Sequence, residues 1–374
     1  MPVFYNPKMA FNRDLTVVFL RAVAGDGNEG TRSRGIVVCD ALAGSGVRAV
    51  RVALEVPSVE KVYANDVNPR AVEEIMANAE MNGCSNRVVA LGEEAAALLT
   101  RGLPEVPNFV DVDPFGSPRR YVGPAFMALG RRGWLGITAT DTAVLCGAQR
   151  GSCVKNYAAS TLSGEVCKEA GLRVLLGFAF RVGSALGYVA KPLLSAYHGH
   201  FFRLFVEARR GSSGFEALKG SMGYLRYCTS CYHRDSVAQY PALREGAACP
   251  SCGAPAKVAG PLWVGPLHDV DFLKKVARAT EGASHLVQPR KVHNFLELAA
   301  AEASLPPHFF DLHFQCDRLG LNAPRSSVVV STLKDRGFNA ARTHLEPRGI
   351  KTDAPIQVVA GVLKDLQPSA DGNA

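Results

Sequence analysis

The stretch that decides the fold is residues 35–54, which read GIVVCDALAGSGVRAVRVAL. Residues 35–40 form a short apolar run that ends in Asp40, as a buried strand does, and residues 47–54 have a helical pattern. The loop between them contains Gly44 and Gly46, where the missing side chains let a ligand approach the backbone. A strand, a glycine loop and a helix in this order predict the first unit of a doubly wound α/β sheet.

A second strand is predicted at residues 61–65, and it is followed by Asp66, 20 residues after Gly46. This spacing is typical of an acid that holds a ribose diol at the tip of the second strand. A third apolar run, residues 108–112, is followed by Asp113. Ligands of open α/β sheets lie outside the carboxyl ends of the strands. We therefore expect Asp40, Asp66 and Asp113 to line one crevice that binds a nucleoside-containing cofactor.

Asp113, Pro114 and Phe115 form a motif that suits a planar amino group. The carboxylate accepts its hydrogen bonds, the proline has no N–H and offers only a carbonyl, and the ring can stack on the substrate. Asp111 lies on the same face of the strand and is a second candidate for the role of Asp113.

The identity of the cofactor has two interpretations, because residues 44–49 (GSGVRA) also satisfy the dinucleotide pattern of a nicotinamide enzyme. A hydride-transfer enzyme has no use for the motif at residues 113–115, however. Asp40 also stands where S-adenosylmethionine enzymes keep an acid near the amino-acid end of the cofactor. S-adenosylmethionine is therefore the predicted cofactor.

Composition sets broad limits on the protein class. The chain has 374 residues, 47% of them hydrophobic, enough for the cores of two or three domains. A net charge of +8 favours a polyanionic partner. Because no apolar run reaches membrane-spanning length and the first residues do not resemble a secretory signal, we expect a cytoplasmic protein without a membrane partner. Nothing in the sequence indicates an obligate protein partner.

Four of the ten cysteines form two Cys-x-x-Cys pairs, Cys228 with Cys231 and Cys249 with Cys252. The 17 residues between the pairs fall within the range for a four-thiolate zinc site. Two disulfides are the alternative, which a reducing cytoplasm disfavours. Because four thiolates leave no open coordination position, the spacing predicts a structural Zn²⁺.

Two smaller patterns have less definite interpretations. His198 and His200 resemble a metal pair, but no carboxylate accompanies them at ligand spacing, so we expect them to be structural or to face RNA. Asp141 either lines the predicted pocket or caps the next helix.

Several motifs together show that the chain resembles the tRNA (guanine-26-N2)-dimethyltransferases over nearly its whole length. They are residues 3–9 (VFYNPKM), 11–14 (FNRD), 40–42 (DAL), 46–48 (GVR), 113–118 (DPFGSP), 138–141 (TATD), 145–147 (LCG) and 342–344 (RTH). The resemblance implies transfer of methyl groups from S-adenosylmethionine to the exocyclic N2 of guanine 26 in tRNA, giving N2-methylguanosine and N2,N2-dimethylguanosine.

The resemblance also implies roles for individual residues at the cofactor. Arg13 and Arg48 are expected near its carboxylate and Asp66 at its ribose. Glu94 and Ala95 are expected beside the adenine, although the family usually has aspartate at position 94, and Glu93 is the alternative to Glu94.

The Asp113 motif and the resemblance together imply how the substrate base is held. Asp113 and the Pro114 carbonyl would hold the amino group, with Phe115 stacked on one face of the base and Phe4 on the other.

The expected architecture is an α/β Rossmann-like, doubly wound methyltransferase domain over residues 1–208, followed by an α+β tRNA-binding domain over residues 215–366. A polar glycine-serine stretch marks the boundary. The second domain is expected to contain a zinc ribbon (224–260) and a winged-helix-like region, whose basic residues Arg342, His344 and Lys351 would contact tRNA phosphates. Residues 367–374 are expected to be a disordered tail.

Three alternatives to this function are considered. The first is an amino methyltransferase that acts on adenine in DNA or on a glutamine amide, which only the family resemblance separates from the tRNA enzyme. The second is the nicotinamide oxidoreductase, and the third is a non-catalytic RNA-binding protein with an inactive cofactor fold.

Overall fold

The central element of the structure is a seven-stranded sheet. The computed structural model describes residues 3, 5–25, 35–237, 248–281, 283 and 285–367. The strands of this sheet are β1 (Ile36–Asp40), β2 (Val59–Asn65), β3 (Val88–Leu91), β4 (Phe109–Val112), β5 (Arg132–Ala139), β6 (Tyr188–His198) and β7 (Phe201–Arg210). Their order is β3-β2-β1-β4-β5-β7-β6. The first five strands in this order pair in parallel, and β7 pairs antiparallel with both β5 and β6.

The strand order reverses at β1, because the chain adds β2 and β3 on one side of it and β4 and β5 on the other. Cys39 of β1 lies opposite Tyr63 of β2 and Val110 of β4. All five residues of β1 are buried, as expected for a central strand covered on both faces. The predicted doubly wound, Rossmann-like sheet is therefore confirmed, and its switch point lies between β1 and β4.

Helices cover both faces of this sheet. They are α1 (Ala10–Ala24, after a short 3-10 helix at Pro7–Met9), α2 (Val47–Glu55), α3 (Pro69–Met81), α4 (Ala95–Arg101), α5 (Arg119–Ala128), α6 (Thr142–Leu145), α7 (Arg150–Tyr157) and α8 (Cys167–Ala185). On one face, Phe19 of α1 stacks on Phe205 of β7 with ring centroids 4.5 Å apart. On the other, Phe126 of α5 and Phe180 of α8 are fully buried in a second apolar cluster.

The second half of the chain adds two three-stranded sheets. Its elements are α9 (Gly214–Lys219), β8 (Met222–Cys228), β9 (Arg234–Val237), β10 (Ala256–Trp263), α10 (Val270–Thr280), α11 (Pro289–Glu302), β11 (Phe310–Asp311), α12 (Leu312–Leu319), α13 (Ser326–Asp335), β12 (Ala340–Arg342), β13 (Gly349–Thr352) and α14 (Ile356–Asp365). The sheet orders are β10-β8-β9 and β11-β13-β12.

The cores do not separate at the predicted boundary between residues 208 and 215. Leu225, Leu262 and Trp263 of the β8–β10 sheet belong to the same apolar cluster as α5 and α8. Helices α10 and α11 join the cluster around α1. Only the elements from β11 onward, with Val329 and Leu363 at their centre, form an apolar cluster of their own.

Helix α12 follows directly after the short strand β11. Phe310 and Asp311 pair with β13, and the Asp311 side chain then accepts hydrogen bonds from the N–H groups of His313 and Phe314. Asp311 thus caps α12, which begins at Leu312. Among the described helices, none combines the length and apolar character needed to cross a membrane.

Candidate active site

A cavity of about 580 Å³ opens at the carboxyl ends of β1, β2 and β4. Asp40, Asp66 and Asp113, which follow or end these three strands, all line it. Residues from the N-terminal segment, among them Tyr5 and Arg13, also contribute to its wall. The structure therefore brings the three predicted acids into one crevice at the switch point of the sheet.

Asp40 is the most unusual of these acids, because it is fully buried and neither carboxylate oxygen has a hydrogen-bond partner among the described residues. Burial raises the pKa of Asp40 to about 7, and the nearby Arg48 charge only partly opposes this. A buried, unpartnered carboxylate is costly unless a ligand supplies the partner. Since Asp40 lines the cavity, a cationic group bound there would pair with it.

The glycine loop and Asp66 also line the cavity. Gly44 has a φ of +54°, and its N–H donates to Asp66 Oδ2 at 3.0 Å. Gly46 has a φ of +76°, and a Cβ there would lie 2.9 Å from the Ile75 side chain. Both glycines are therefore required by the turn. Because Asp66 Oδ1 accepts from the Asn68 N–H at 2.9 Å, the carboxylate is held at the mouth of the cavity.

Arg48 lies at the floor of the cavity in a buried cluster of charged side chains, here called the cavity cluster: Asp40, Arg48, Asp111, Asp113 and Arg203. Arg48 pairs with Asp113 and also donates to Asn12 Oδ1 at 2.9 Å and Thr16 Oγ1 at 2.7 Å. Although burial opposes its charge, Asp111 and Asp113 raise the pKa of Arg48. One of these three interactions therefore lies within the cavity cluster, and the other two tie Arg48 to α1.

Asp111, the second candidate for the catalytic acid, is committed to Arg203. Arg203 Nη1 donates to Asp111 Oδ1 at 2.9 Å, and both side chains are fully buried. Burial opposes ionisation of Asp111, but the Arg203 and Arg48 charges hold its pKa below the usual range. Arg203 was not predicted as part of the site, although an arginine within the apolar strand FFRLFV is a signal for a buried ion pair.

The Asp113 motif stands at the edge of the cavity. Phe115 is 78% exposed, and Pro114 lines the cavity. Gly116 then turns the chain with a φ of +77°, its N–H donates to Thr140 Oγ1 at 2.7 Å, and its carbonyl accepts from the Thr140 N–H at 2.9 Å. Thr140 therefore fixes the motif in place, a role that the sequence analysis did not assign.

Arg13 reaches the cavity from α1, where its guanidinium donates to the Asn6 carbonyl at 3.3 Å and to the Tyr5 hydroxyl at 3.4 Å. Burial and the neighbouring Arg48 charge lower its pKa. Arg13 thus ties the N-terminal segment to the cavity wall. Phe4, predicted to stack on the substrate, lies outside the described residues.

Glu94 and Ala95 are not among the described residues that line the cavity. Glu94 is the N-cap of α4, where its side chain accepts from the Ala97 N–H at 2.8 Å. Asp141, for which two roles were open, accepts from the Tyr157 hydroxyl at 2.7 Å and makes no capping bond with its side chain.

The four paired cysteines lie together on the β8–β10 sheet. The sulfurs of Cys228, Cys231, Cys249 and Cys252 are all within 4.8 Å of one another. Four thiolates around one zinc ion at about 2.3 Å would have sulfurs about 3.8 Å apart, so the donor set and its size fit this metal. All four thiols are free, and none forms a disulfide.

Two of the three predicted tRNA contacts need correction. Arg342 is exposed on β12, but the side chains of His344 and Lys351 are buried. Lys351 Nζ lies 2.6 Å from Glu169 Oε1 and 3.7 Å from Glu302 Oε2, and His344 Nδ1 pairs with Glu302. Neither side chain reaches a phosphate from this position.

Lys351 and His344 belong instead to a second buried cluster of charged and polar side chains, here called the joint cluster: Glu169, Arg173, His268, Glu302, His344 and Lys351. It connects α8 and α11 with β13 beside a cavity of about 160 Å³. Arg173 Nη2 lies 2.8 Å from Glu169 Oε1, and burial lowers the pKa of His268 to about 4. The negative charges of Glu169 and Glu302 are therefore balanced by the positive charges of Arg173 and Lys351.

Comparisons with known proteins give the family. A profile described as "N2,N2-dimethylguanosine tRNA methyltransferase" matches residues 1–364. A tRNA (guanine(26)-N(2))-dimethyltransferase of Methanothermobacter thermautotrophicus is 37% identical, over 98% of this chain and 94% of its own length. One of Methanosarcina acetivorans is 36% identical, over 98% of this chain and 92% of its own.

Among solved structures, Trm1 from Pyrococcus horikoshii in complex with S-adenosyl-L-methionine has a TM-score of 0.85 and 32% identity, covering 97% of this chain and 95% of that chain. The profile, the relatives and the solved structure all match this chain over nearly its full length. The chain belongs to the N2,N2-dimethylguanosine tRNA methyltransferase family.

Proposed function

We propose that this protein methylates the exocyclic N2 of guanine 26 in tRNA with S-adenosylmethionine, first to N2-methylguanosine and then, with a second cofactor molecule, to N2,N2-dimethylguanosine. The observation that carries this proposal is the position of Asp113, Pro114 and Phe115 at the edge of a cavity that also contains Asp40 and Asp66. The names of the relatives support the same substrate.

The residues of the cavity suit the cofactor. Asp40 has no partner for a buried carboxylate, which fits the ammonium of the methionine part, and Asp66 fits the ribose diol. Arg13 is proposed to lie near the carboxylate of the cofactor. We place Arg48 beneath the substrate amino group as well as near the cofactor, because it pairs directly with Asp113. When bound, S-adenosylmethionine supplies a methyl group on a positively charged sulfur.

The chemical difficulty lies with the guanine amino group, whose lone pair is delocalised into the ring. Its nitrogen must become pyramidal while the N–C bond forms, the C–S bond breaks and one N–H proton is lost. Asp113, oriented by Arg48, and the Pro114 carbonyl accept hydrogen bonds that strengthen as positive charge develops on the nitrogen. Asp113 is the proposed acceptor of the proton. Phe115 stacks on one face of the base, and Phe4 is proposed for the other.

The guanine must leave its helical stack to reach this cavity, at a cost of about a few kcal/mol. The exposed ring of Phe115 recovers part of that cost, since stacking a base on an aromatic side chain contributes about 1–3 kcal/mol. Glu94 and Ala95, which follow the end of β3, remain the proposed neighbours of the adenine.

The second half of the chain is proposed to hold tRNA, with residues 1–208 carrying the chemistry and residues 215–366 the RNA contacts. The order α11, β11, α12, α13, β12, β13 and the sheet order β11-β13-β12 support a winged-helix arrangement of the last module. Arg342 is exposed on its β12 strand, where it can meet a phosphate. The tRNA substrate and the free thiols fit the proposed cytoplasmic location.

The four cysteines are proposed to hold one structural Zn²⁺ in a zinc ribbon. Elemental analysis of the purified protein should find about one zinc per chain, and Cys228→Ser with Cys249→Ser should release it. A native chain that contains disulfides instead of zinc would contradict this assignment.

The activity is tested by transfer of labelled methyl from S-adenosylmethionine to unmodified tRNA, followed by nucleoside analysis. A tRNA with adenosine at position 26 is the matched control. We expect label in N2-methylguanosine and N2,N2-dimethylguanosine with guanosine 26 only. Label in another nucleoside or in a protein would change the substrate, and no transfer at all would favour an RNA-binding role.

A further inference from the structure

The turn between β6 and β7 lies at the same edge of the sheet as Asp113. Ala139 at the end of β5 pairs with Phe202 near the start of β7, so this turn lies beyond the carboxyl end of β5. The turn consists of Gly199, with a φ of +58°, and His200. The Tyr197 hydroxyl donates to the Gly199 carbonyl at 2.8 Å, which fixes the turn. His200 is thereby held in the wall of the 580 Å³ cavity.

His200 shares one property with Asp40. Among the described residues that line this cavity, only these two have a buried side-chain nitrogen or oxygen without a hydrogen-bond partner. For His200 the atom is Nε2. The neighbouring His198 is not among the described residues that line the cavity, and its ring packs on Phe11 with centroids 4.7 Å apart. A buried polar atom without a partner costs free energy, which a ligand in the cavity can recover.

The position of His200 indicates which ligand this is. Asp40 ends β1, the neighbour of β4 on one side, whereas His200 directly precedes β7, two strand spacings or about 10 Å from β4 on the other side. Two hydrogen bonds of about 3 Å each, with a purine between them, fill that distance. His200 therefore faces the substrate base rather than the cofactor.

The hydrogen-bond acceptors of Asp113 and Pro114 do not by themselves explain how guanine would be selected over adenine. A carboxylate and a carbonyl bind any planar amino group, so they suit the N6 of adenine as well as the N2 of guanine. Guanine differs in its O6 acceptor and N1–H donor. An imidazole can donate to the first or accept from the second, depending on its tautomer.

We propose that His200 hydrogen-bonds the O6/N1 edge of the target guanine and so selects guanine over other bases with an amino group. This inference rests on the proposed function. A site that hydrogen-bonds a substrate group discriminates strongly against an analogue that lacks it, because its own polar atom is then left unpaired.

The test compares tRNA with guanosine at position 26 and tRNA with 2-aminopurine there, which keeps the amino group but lacks O6 and N1–H. We expect the native protein to prefer guanosine in kcat/KM. His200→Leu should lower kcat/KM for guanosine at least 10-fold and leave 2-aminopurine nearly unchanged, so that the preference is lost. His200→Gln, which keeps a donor and an acceptor, should restore most of the preference.

His198→Leu is the matched control, since it removes a neighbouring imidazole that packs on Phe11, and it should keep the guanosine preference. Binding of S-adenosylmethionine should be the same in the native protein and both His200 variants. The inference is overturned if His200→Leu slows both substrates equally, or if the native protein has no preference. A native protein that does not methylate guanosine 26 would instead overturn the proposed function itself.

Discussion

The two buried charged clusters of this protein differ in one respect that separates chemistry from structure. The cavity cluster holds three acids and two arginines, and one acid, Asp40, has no hydrogen-bond partner among the described residues. The joint cluster holds two acids, two cationic side chains and two histidines, with Lys351 between Glu169 and Glu302. Burying a charge requires compensation. The excess acid of the first cluster therefore marks the place where a ligand cation is needed, whereas each acid of the second cluster already pairs with a basic side chain through one oxygen.

The charges of the joint cluster also argue against a metal ion there. Ligand-type atoms of His268, Glu302 and His344 lie within 4.8 Å of one another. The ammonium of Lys351 already supplies a positive charge to Glu302, however, and His268 Nδ1 accepts from the Ser195 N–H at 3.4 Å. In a neutral imidazole this leaves the proton on Nε2, which then points a hydrogen rather than a lone pair at Glu302.

The largest expected effect follows from breaking the cavity cluster at its reactive member. Asp113→Ala should lower kcat for methyl transfer by about 10²–10⁴-fold. The substrate amino group would lose both a hydrogen-bond acceptor and the group that takes its proton. Stability should change little, since Arg48 stays beside Asp111 at 3.6 Å. Steady-state kinetics with tRNA tests this. Asp271→Ala on α10 is the control, because that carboxylate is 84% exposed, and equal losses in both variants would contradict the assignment.

Breaking the joint cluster should instead affect stability. Lys351→Met leaves Glu169 and Glu302 buried without their ammonium, which should cost about 3–5 kcal/mol in the free energy of unfolding. Urea denaturation measures this change. Lys364→Met, at an exposed position of α14, should stay within about 0.5 kcal/mol of the native protein. A loss below about 1 kcal/mol for Lys351→Met would show that Lys351 does not compensate the buried charges of Glu169 and Glu302 in the joint cluster.

The unpartnered acid gives a pH dependence that sharpens the comparison. With a pKa of about 7, Asp40 is neutral below that pH in the free protein and ionised above it. A ligand ammonium binds the ionised form, so affinity for S-adenosylmethionine should rise roughly 5- to 10-fold from pH 6 to pH 7.5. It should fall again above about pH 8 as the amino group of the ligand loses its proton.

Asp40→Asn should remove this rise and weaken binding at pH 7.5 by about 10-fold. Isothermal titration calorimetry across the pH range measures both effects. The same pH profile in the native protein and in Asp40→Asn would assign the titration to another group.

The smallest effect is expected outside both clusters, at Arg342. Its exposed guanidinium should contribute one phosphate contact, so Arg342→Gln should weaken tRNA binding a few-fold and lower the slope of log affinity against log salt by about 1. Filter binding at several salt concentrations measures this. Lys364→Gln is the control, and an unchanged salt slope in Arg342→Gln would remove Arg342 from the RNA interface.

The parts of the site that the sequence predicted are those set by local patterns. The strand, loop and helix at residues 35–54, the acid after β2 and the Cys-x-x-Cys spacing each depend on residues close together in the chain. The burial of Lys351 depends on Glu169, 182 residues away, and that of His344 on Glu302, 42 residues away. A basic residue in a basic segment has no local sign of such a partner, so exposure was the natural expectation.

Helix α1 has a consequence for how the chain is made. Phe19 packs on Phe272 with centroids 5.1 Å apart, and Phe11 packs on Phe295 at 5.8 Å. The ribosome delivers α1 long before α10 and α11, so the apolar face that α1 presents to these two helices has no cover until about four fifths of the protein has been synthesised. A gene truncated after codon 208 would produce a chain with that face open to water, prone to aggregate, even though every residue of the methyl-transfer cavity had been translated.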